Sequence, residues 1–498
     1  MSDAPAQARE LEELAKREAA RLEPGGPART ARHHRLGRMT GRERVLALVD
    51  AGTFEEFGAD VLHRHSHASE MLAANREPGD GLVCGIGEVD GRRVAILAHE
   101  PTILRGALGH AASRKACKVL DIAESERLPV VTLADCDGVR VEESTDAIEA
   151  YGEILTRIIR LRGKVPQLTA AMGLCVGAAA YAAALNDWVC MVASQSYMFI
   201  TGPKVTKVVT GETVTLEDLG GAAMHSTMTG QCHASVDTEN DALAWVRRTL
   251  SFLGPAASSD PLDRDTSALT SIVPTNERRA YDMKKVVREL CDTGSLHEVG
   301  AAFAKNLLTI FARLSGRPVA IVANQPMVHA GCLDVLASRK GAHFIRYAGA
   351  AGIPVITLVD VPGYLPGLKQ EQGGILPFGA QLLDAYGSVR VPRVSLVVRK
   401  SYGGASVLSF NADIRLGLPT ARCGVMGVEA GLEVALGPEN PEATAEERKA
   451  REARKQDWLR EHDHAWAATE SGYLDRIIDP RRARSELARA LRSLGGNP

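Results

Sequence analysis

The stretch CVGAAAY, Cys175 to Tyr181, sets five residues no larger than valine in a row inside a chain that is 24% charged. It follows an apolar run that reads as a strand and precedes an alanine-rich run that reads as a helix. A strand that runs into small residues at the head of a helix leaves backbone N–H groups without intrahelical acceptors. Small side chains let a ligand oxygen come close to those donors, and the helix dipole adds positive potential. Such a turn is an oxyanion site. It can stabilise an enolate or a tetrahedral intermediate with no side-chain acid or base, one donor being worth roughly 3 to 4 kcal/mol of barrier. The same composition also serves tight packing, so one copy decides nothing.

A second copy exists. GALGHAASRKACKVLDIAESERLPVVTLADCDG from Gly106 aligns without a gap on GCLDVLASRKGAHFIRYAGAAGIPVITLVDVPG from Gly331, with 13 of 33 positions identical at an offset of 225. At an offset of 226, VPQLTAAMGLCVGAAAYAAALND from Val165 continues against VPRVSLVVRKSYGGASVLSFNAD from Val391, so Gly177 faces Gly403 and the small-residue turn has a twin in YGGASV. Packing alone does not require both turns at one register, which favours paired oxyanion sites. In each copy the spacing predicts a helix over the ASRK segment and a buried strand after the proline, ending at an Asp and a Gly. A second apolar strand, the tight turn and another helix follow. Alternating strands and helices imply an α/β core with parallel pairing, and the duplication implies two homologous domains. The Pro/Ser/Asp-rich segment 253–267 marks the boundary, giving a charged helical extension over 1–34 and domains over 35–260 and 261–498.

The remaining features exclude more than they assign. Lys+Arg 59 against Asp+Glu 61 gives no bulk charge for nucleic acid or a membrane surface. Nine cysteines with no CxxC suggest reduced thiols in a cytoplasmic protein, not a disulfide frame or zinc site. The charged N-terminus lacks the apolar core of a signal peptide, and the Ala/Gly-rich run 170–185 is too short and too weakly apolar to span a membrane. HSHAS at 65–69 and RHH at 32–34 have no acidic or cysteine partners at metal-site spacing. GIGEVDGRR from Gly85 misses the dinucleotide fingerprint and reads as a hairpin turning at Asp-Gly. Ser401 to Ser406 hold no GxSxG elbow. Glu371 and Gln372 precede a double glycine, a loop or a helix start. Asp137 and Asp360 sit at strand ends, where α/β ligands bind, but nothing makes either a base. Residues 440–464 form a charge-dense solvated helix.

Longer motifs carry a resemblance. DVPGYLPGLKQEQGGI, VVRKSYGGA, MFITGPKVTKVVTGETVTLEDLGGAAMHSTMTG and DGRRVAILAHEPTILRGALG resemble the carboxyltransferase β subunits of biotin-dependent acyl-CoA carboxylases, above all the propionyl-CoA type. The likeness covers about residues 35 to 495. It implies two homologous crotonase-like (ClpP/crotonase) ββα-superhelix domains per subunit and a homohexamer, each active site lying between the N-terminal domain of one subunit and the C-terminal domain of another. Carboxybiotin, carried on a separate biotin carrier subunit loaded by a biotin carboxylase, would give its carboxyl group to the α-carbon of a short acyl-CoA. No metal in this subunit is expected.

By that resemblance Gly177 and Ala178 form the biotin-side turn, and Gly404 and Ala405, with Gly403, hold the thioester oxygen. Gly138, Gly363 and Gly403 are expected to bind substrate, as is Val407, which stands where relatives set acyl selectivity, commonly with Asp in propionyl enzymes. The first domain departs from the pattern. Relatives read PCAGGAVY where this chain reads LCVGAAAY, and DSGGARIQEG where it reads DCDGVRVEES, so Ala178 replaces a glycine and Asp137 adds an acid. If position 178 needs a positive φ, alanine costs about 1 to 2 kcal/mol or reshapes the turn. Two other functions fit the same motifs: a decarboxylating or transcarboxylating subunit acting on a malonyl- or methylmalonyl-CoA-type substrate, and a degenerate CoA-binding or assembly subunit.

Overall fold

The computed structural model describes residues 4–63, 70–74, 76–258, 260–438, 440–462 and 464–495. The HSHAS segment lies outside them. The chain divides into two compact units, Met1–Leu250 and Ser251–Pro498. The division falls before the expected 260/261 boundary for a visible reason. Arg313, in a strand of the second unit, donates to the carbonyls of Ser251 (2.6 Å) and Gly254 (2.9 Å), and Ala256 N–H donates to Gly316 O (2.9 Å). The segment after Leu250 is thus stitched to the second unit. Residues 1–34 carry two helices, Ala4–Leu22 and Pro27–His34, tied to the first unit by Arg21 on Asp60 and by Thr102 Oγ1 on the Pro24 carbonyl at 2.9 Å.

Each unit is built on an eight-stranded sheet. In the first, the order runs Glu55–Glu56, Leu82–Val89, Arg92–His99, Val130–Cys136, Gln167–Val176, Trp188–Val192, Ala234–Val236, with Tyr197–Phe199 pairing the far end of Gln167–Val176. The second repeats it with Leu307–Leu314, Arg317–Asn324, Val355–Val361, Arg393–Tyr402 and Ile414–Gly417 in the middle. The expected hairpin is present. Leu82–Val89 pairs antiparallel with Arg92–His99 across Asp90 and Gly91, whose φ values of 51° and 72° are the paired positive angles of a type I′ turn. All later pairings in its sheet are parallel.

The duplication reaches the side chains. The ASRK segments lie in the helices His110–Glu126 and Val335–Ala350, and their lysines point inward. Lys115 Nζ donates to the carbonyls of Gly58, Gly79 and Leu82, and Lys340 Nζ to those of Phe303 and Leu307. Buried carbonyls require such partners. Gly106 and Gly331 each hold a positive φ, 68° and 81°, and a Cβ on either would lie 2.2 Å or 2.6 Å from the carbonyl oxygen of Asp135 or Asp360. Only glycine permits that approach.

At one twin position the units differ in chemistry. His99 ends a strand where Asn324 ends the other. Asn324 Nδ2 donates to Gly331 O at 3.0 Å and its Oδ1 accepts from Asp360 N–H at 3.2 Å. His99 is buried with its Nδ1 unpartnered, and burial pushes its pKa down to about 4. The unfolded chain binds a proton near pH 6.5 that the folded chain refuses until about pH 4, so the stability linked to His99 is complete above pH 6.5 and is lost as pH falls through that window. The window corresponds to about 3 kcal/mol. Replacing His99→Asn should therefore flatten the fall in unfolding midpoint between pH 6.5 and 4, measured by denaturant titration at each pH. An unchanged slope would show that His99 does not set it.

Candidate active site

Both turns form by the same local device. In the first unit the strand Gln167–Val176 ends at Gly177, with φ 59° and ψ −118°, and the helix Ala178–Leu185 starts immediately after. Gly177 offers no side chain to cap it, and Tyr181 N–H closes the first turn on Gly177 O. The amides of Ala178, Ala179 and Ala180 thus have no intrahelical acceptor. The Gly177 N–H donates to Phe199 O at 3.0 Å. Its contribution is therefore the backbone angle, and Ala178 and its neighbours present the N–H groups. A Cβ at Gly177 would meet only Ile200 O, at 3.7 Å, which leaves open space beside the turn.

The second unit repeats this arrangement with Gly403 at φ 61°, the single turn Gly403–Ser406, and the short helix Val407–Phe410. Ala405 and Val407 are buried, and Gly404 packs below the Tyr364 ring, whose nearest atom lies 3.8 Å from where its Cβ would be.

A strand-end loop faces each turn. Gly138 follows Val130–Cys136 with φ 92°, and a Cβ there would stand 2.8 Å from Val176 O, one residue before Gly177. Gly138 O accepts from Leu108 N–H at 3.0 Å, and its N–H faces Cys136 Sγ at 3.2 Å. Gly363, with φ 151°, accepts from Leu333 N–H at 3.1 Å, and the next residue is the Tyr364 that covers Gly404. The residues singled out from sequence are thus gathered, within each unit, around one turn and one facing loop.

The two departures in the first unit resolve structurally. Ala178 is the first residue of a helix and is absent from the residues with positive φ. The left-handed angle belongs to Gly177, so alanine at 178 is not strained and keeps its N–H. Asp137 is paired with the Arg105 guanidinium, and its N–H donates to Arg105 O at 3.2 Å. The extra acid is therefore neutralised by a cation that sequence reasoning passed over. Arg140 in the same loop was also passed over. It is buried, donating to Asp80 Oδ1 and Glu143 Oε1, both at 2.7 Å, and to Ala107 O at 2.9 Å. Glu143 in turn accepts from His110 N–H at 2.8 Å, at the head of a helix. In KQEQGG the working residue is Gln370, which accepts from Val335 N–H at 3.1 Å; the helix Leu368–Gln372 that carries it has no buried residue. The RHH histidines bind locally, His33 to Met39 O and His34 to Glu43, and no group of three or more metal-ligating side chains occurs among the described residues.

This geometry separates two glycine positions from one alanine. Gly177→Ala puts a Cβ on a left-handed residue at a cost of about 1 to 2 kcal/mol, and the turn amides shift with it. Turnover should fall on the order of 10- to 100-fold, and Gly138→Ala, which also collides with Val176 O, should behave alike. Ala178→Gly should leave turnover within about twofold, because a helical φ needs no glycine. Steady-state kinetics on the three purified variants checks the ranking, which a gain of activity in Ala178→Gly would reverse.

Comparison with known proteins places this arrangement. Residues 32–497 match the carboxyl transferase domain family. The propionyl-CoA carboxylase beta chain of Roseobacter denitrificans is 41% identical over 501 residues, covering 97% of this chain and 96% of that protein. The mitochondrial propionyl-CoA carboxylase beta chain of Homo sapiens is 39% identical, covering 93% and 86%. Among solved structures, a transcarboxylase 12S with methylmalonyl-coenzyme A and methylmalonic acid bound superposes with a TM-score of 0.92 at 35% identity, covering 97% of this chain and 95% of that one. A single-chain, multi-domain long-chain acyl-CoA carboxylase superposes at 0.85 with 27% identity, over 97% of this chain and 48% of its own. With its duplicated crotonase-like units, the chain belongs to the carboxyl transferase family and is an acyl-CoA carboxyltransferase.

Proposed function

We propose that this chain is the carboxyltransferase subunit of a biotin-dependent acyl-CoA carboxylase acting on a short, propionyl-CoA-like thioester. The observation that carries the reading is the pair of twin turns, each with uncapped amides beside a glycine of positive φ and a facing loop. Removing a proton from the α-carbon of a thioester places negative charge on its oxygen. The amides at Gly404 and Ala405 would take that charge, and preorganised backbone donors do so without reorganising. The open, uncapped turn at Ala178 suits a ureido oxygen, which would gain negative charge as the activated carboxyl group leaves biotin carried on a partner subunit. The protein's part is orientation and fixed dipoles, and the α-proton would pass to the ureido nitrogen that gives up the carboxyl group, which spares a side-chain base.

Exposed apolar residues support assembly with further copies. Val208 (85% exposed), Val209 (75%) and Met228 (70%) lie in the segment that follows the first turn, and apolar surface of this kind marks protein interfaces. A hexamer agrees with this, since the solved transcarboxylase 12S has a hexamer assembly. That same relative favours a second direction, in which a methylmalonyl-CoA-type substrate gives up its carboxyl group. The degenerate reading loses its ground, because Ala178 keeps a helical φ. A cytoplasmic location fits a cysteine pattern of nine residues with no CxxC spacing, and no helix among the described residues is long and apolar enough to cross a membrane.

Val407, apolar where the motif of propionyl enzymes has Asp, points to an acyl chain that differs from or exceeds propionyl. The chain should co-purify with a biotinylated carrier and incorporate labelled bicarbonate into acetyl-, propionyl- or butyryl-CoA. Incorporation into none of these in the presence of an active carrier would overturn the carboxylase reading. Label leaving methylmalonyl-CoA without net carboxylation would establish the reverse direction.

A further inference from the structure

Each turn stands at the end of a bulged strand. Ala134 pairs with Ala171 and Cys136 with Cys175, so two residues of one strand face four of the other; Val359 with Val397 and Val361 with Ser401 repeat the step. Bulges re-aim a strand beside functional sites. Here the bulge sets how the turn amides sit against the facing loop.

In the second unit the bulge is fastened directly. Asp360 Oδ1 accepts from the Lys400 backbone N–H at 3.2 Å and Oδ2 from Arg399 Nε at 3.1 Å, both donors lying in the bulged segment. In the first unit the position of Arg399 is taken by Gly173, where a Cβ would stand 2.0 Å from Asp135 Oδ1. The cation comes instead from outside the repeat. Arg44 donates to Asp135 Oδ2 at 3.0 Å and to both oxygens of Glu239, at 3.0 and 2.7 Å. Glu239 Oε1 accepts from Gln195 Nε2 at 2.6 Å, and that Nε2 also donates to the carbonyl of Met172, in the bulge, at 2.7 Å. The chain of bonds from Asp135 through Arg44, Glu239 and Gln195 to Met172 closes the same gap that Asp360 closes alone. Arg44, Glu239, Asp135, Asp360 and Arg399 are all buried. Desolvating such pairs costs much of their attraction, so their placement argues for geometry more than for stability.

We propose that Arg44, Glu239 and Gln195 in the first unit, and Asp360 with Arg399 in the second, are positioning residues for carboxyl transfer: two differently built clamps that hold each bulge against the neighbouring strand end and so fix the spacing between turn and facing loop. None of them lies on a turn or in a facing loop. The proposal rests on the oxyanion reading of the turns, and its test has a readout apart from activity. Gln195→Met removes only the two bonds from the Gln195 amide, to Met172 O and to Glu239 Oε1, and Asp360→Asn weakens the other clamp. Hydrogen exchange on the full chain should speed on the order of 10-fold at 176–181 in the first variant and at 402–408 in the second, each leaving the other turn unchanged. In the assembled enzyme, kcat should fall about 10- to 100-fold with acyl-CoA KM within about twofold. If Asp360→Asn does not fold, Arg399→Lys, which keeps the charge and loses the planar fork, gives the same readout at 402–408. Variants that melt earlier while exchange at the turns and kcat per folded enzyme stay at wild-type values would overturn the proposal. A wild type inactive on every acyl-CoA refutes the functional reading, while the exchange readout still decides the clamps.

Discussion

One constraint organises this chain: a strand must hand over to a helix through a single residue of positive φ, with nothing on that residue to cap the helix. Gly177 and Gly403 meet it with φ of 59° and 61°. A Ser, Thr, Asp or Asn at the same place would satisfy a first-turn amide and consume a donor that the proposed oxyanion chemistry uses. The site therefore depends on keeping polar side chains away, and the small residues after each glycine serve that end. Placing the turn at the far end of a long central strand then fixes the rest, since each of those strands is flanked on both sides by parallel neighbours and cannot shift without disturbing the sheet.

Because the donors are backbone groups, side chains around them were free to diverge between the two units. The buried carboxylate at the strand end is common to both, as Asp135 and Asp360, but its cation is not. Arg399 arises within the repeat itself; Arg44 arrives from a helix before the first strand, and Gly173 leaves room for the carboxylate. His99 against Asn324 shows a similar substitution at a strand end. For the carboxylate and its cation, the function kept is the proposed distance between two strands, which chemically different groups can hold.

How much of this was legible follows from the range of the interactions. The turns, the Asp90–Gly91 hairpin and the strand–helix order depend on residues adjacent in sequence, and the duplication doubled their signal. The helical angle at Ala178 was not legible, because alanine is compatible with more than one backbone region and only the turn's geometry assigns the positive φ to its predecessor. The clamp of the first unit was invisible for a different reason. Arg44 meets Asp135 across 91 positions and Glu239 across 195, and in GRERVLA it looks like any charge on a solvated helix. Arg105 and Arg140 were missed in the same way: a cation in a loop carries no periodic signature until the fold supplies its carboxylate. The unit boundary also depended on distant partners, through Arg313.

A site of this construction separates what must be retained from what can drift. The angles at Gly177, Gly403, Gly138 and Gly363 are all positive, and no other residue adopts them cheaply. Ala178 and Asp137 show the drift that remains open, since one keeps a helical angle and the other finds Arg105. Val407 belongs to this second class. It lies buried directly after the turn proposed to hold the thioester oxygen, so on that proposal its side chain would change the space available to an acyl group while leaving every backbone donor in place. On the proposed amide-donor mechanism, substrate range and reaction rate would thus be carried by different atoms, and the first could change without loss of the second.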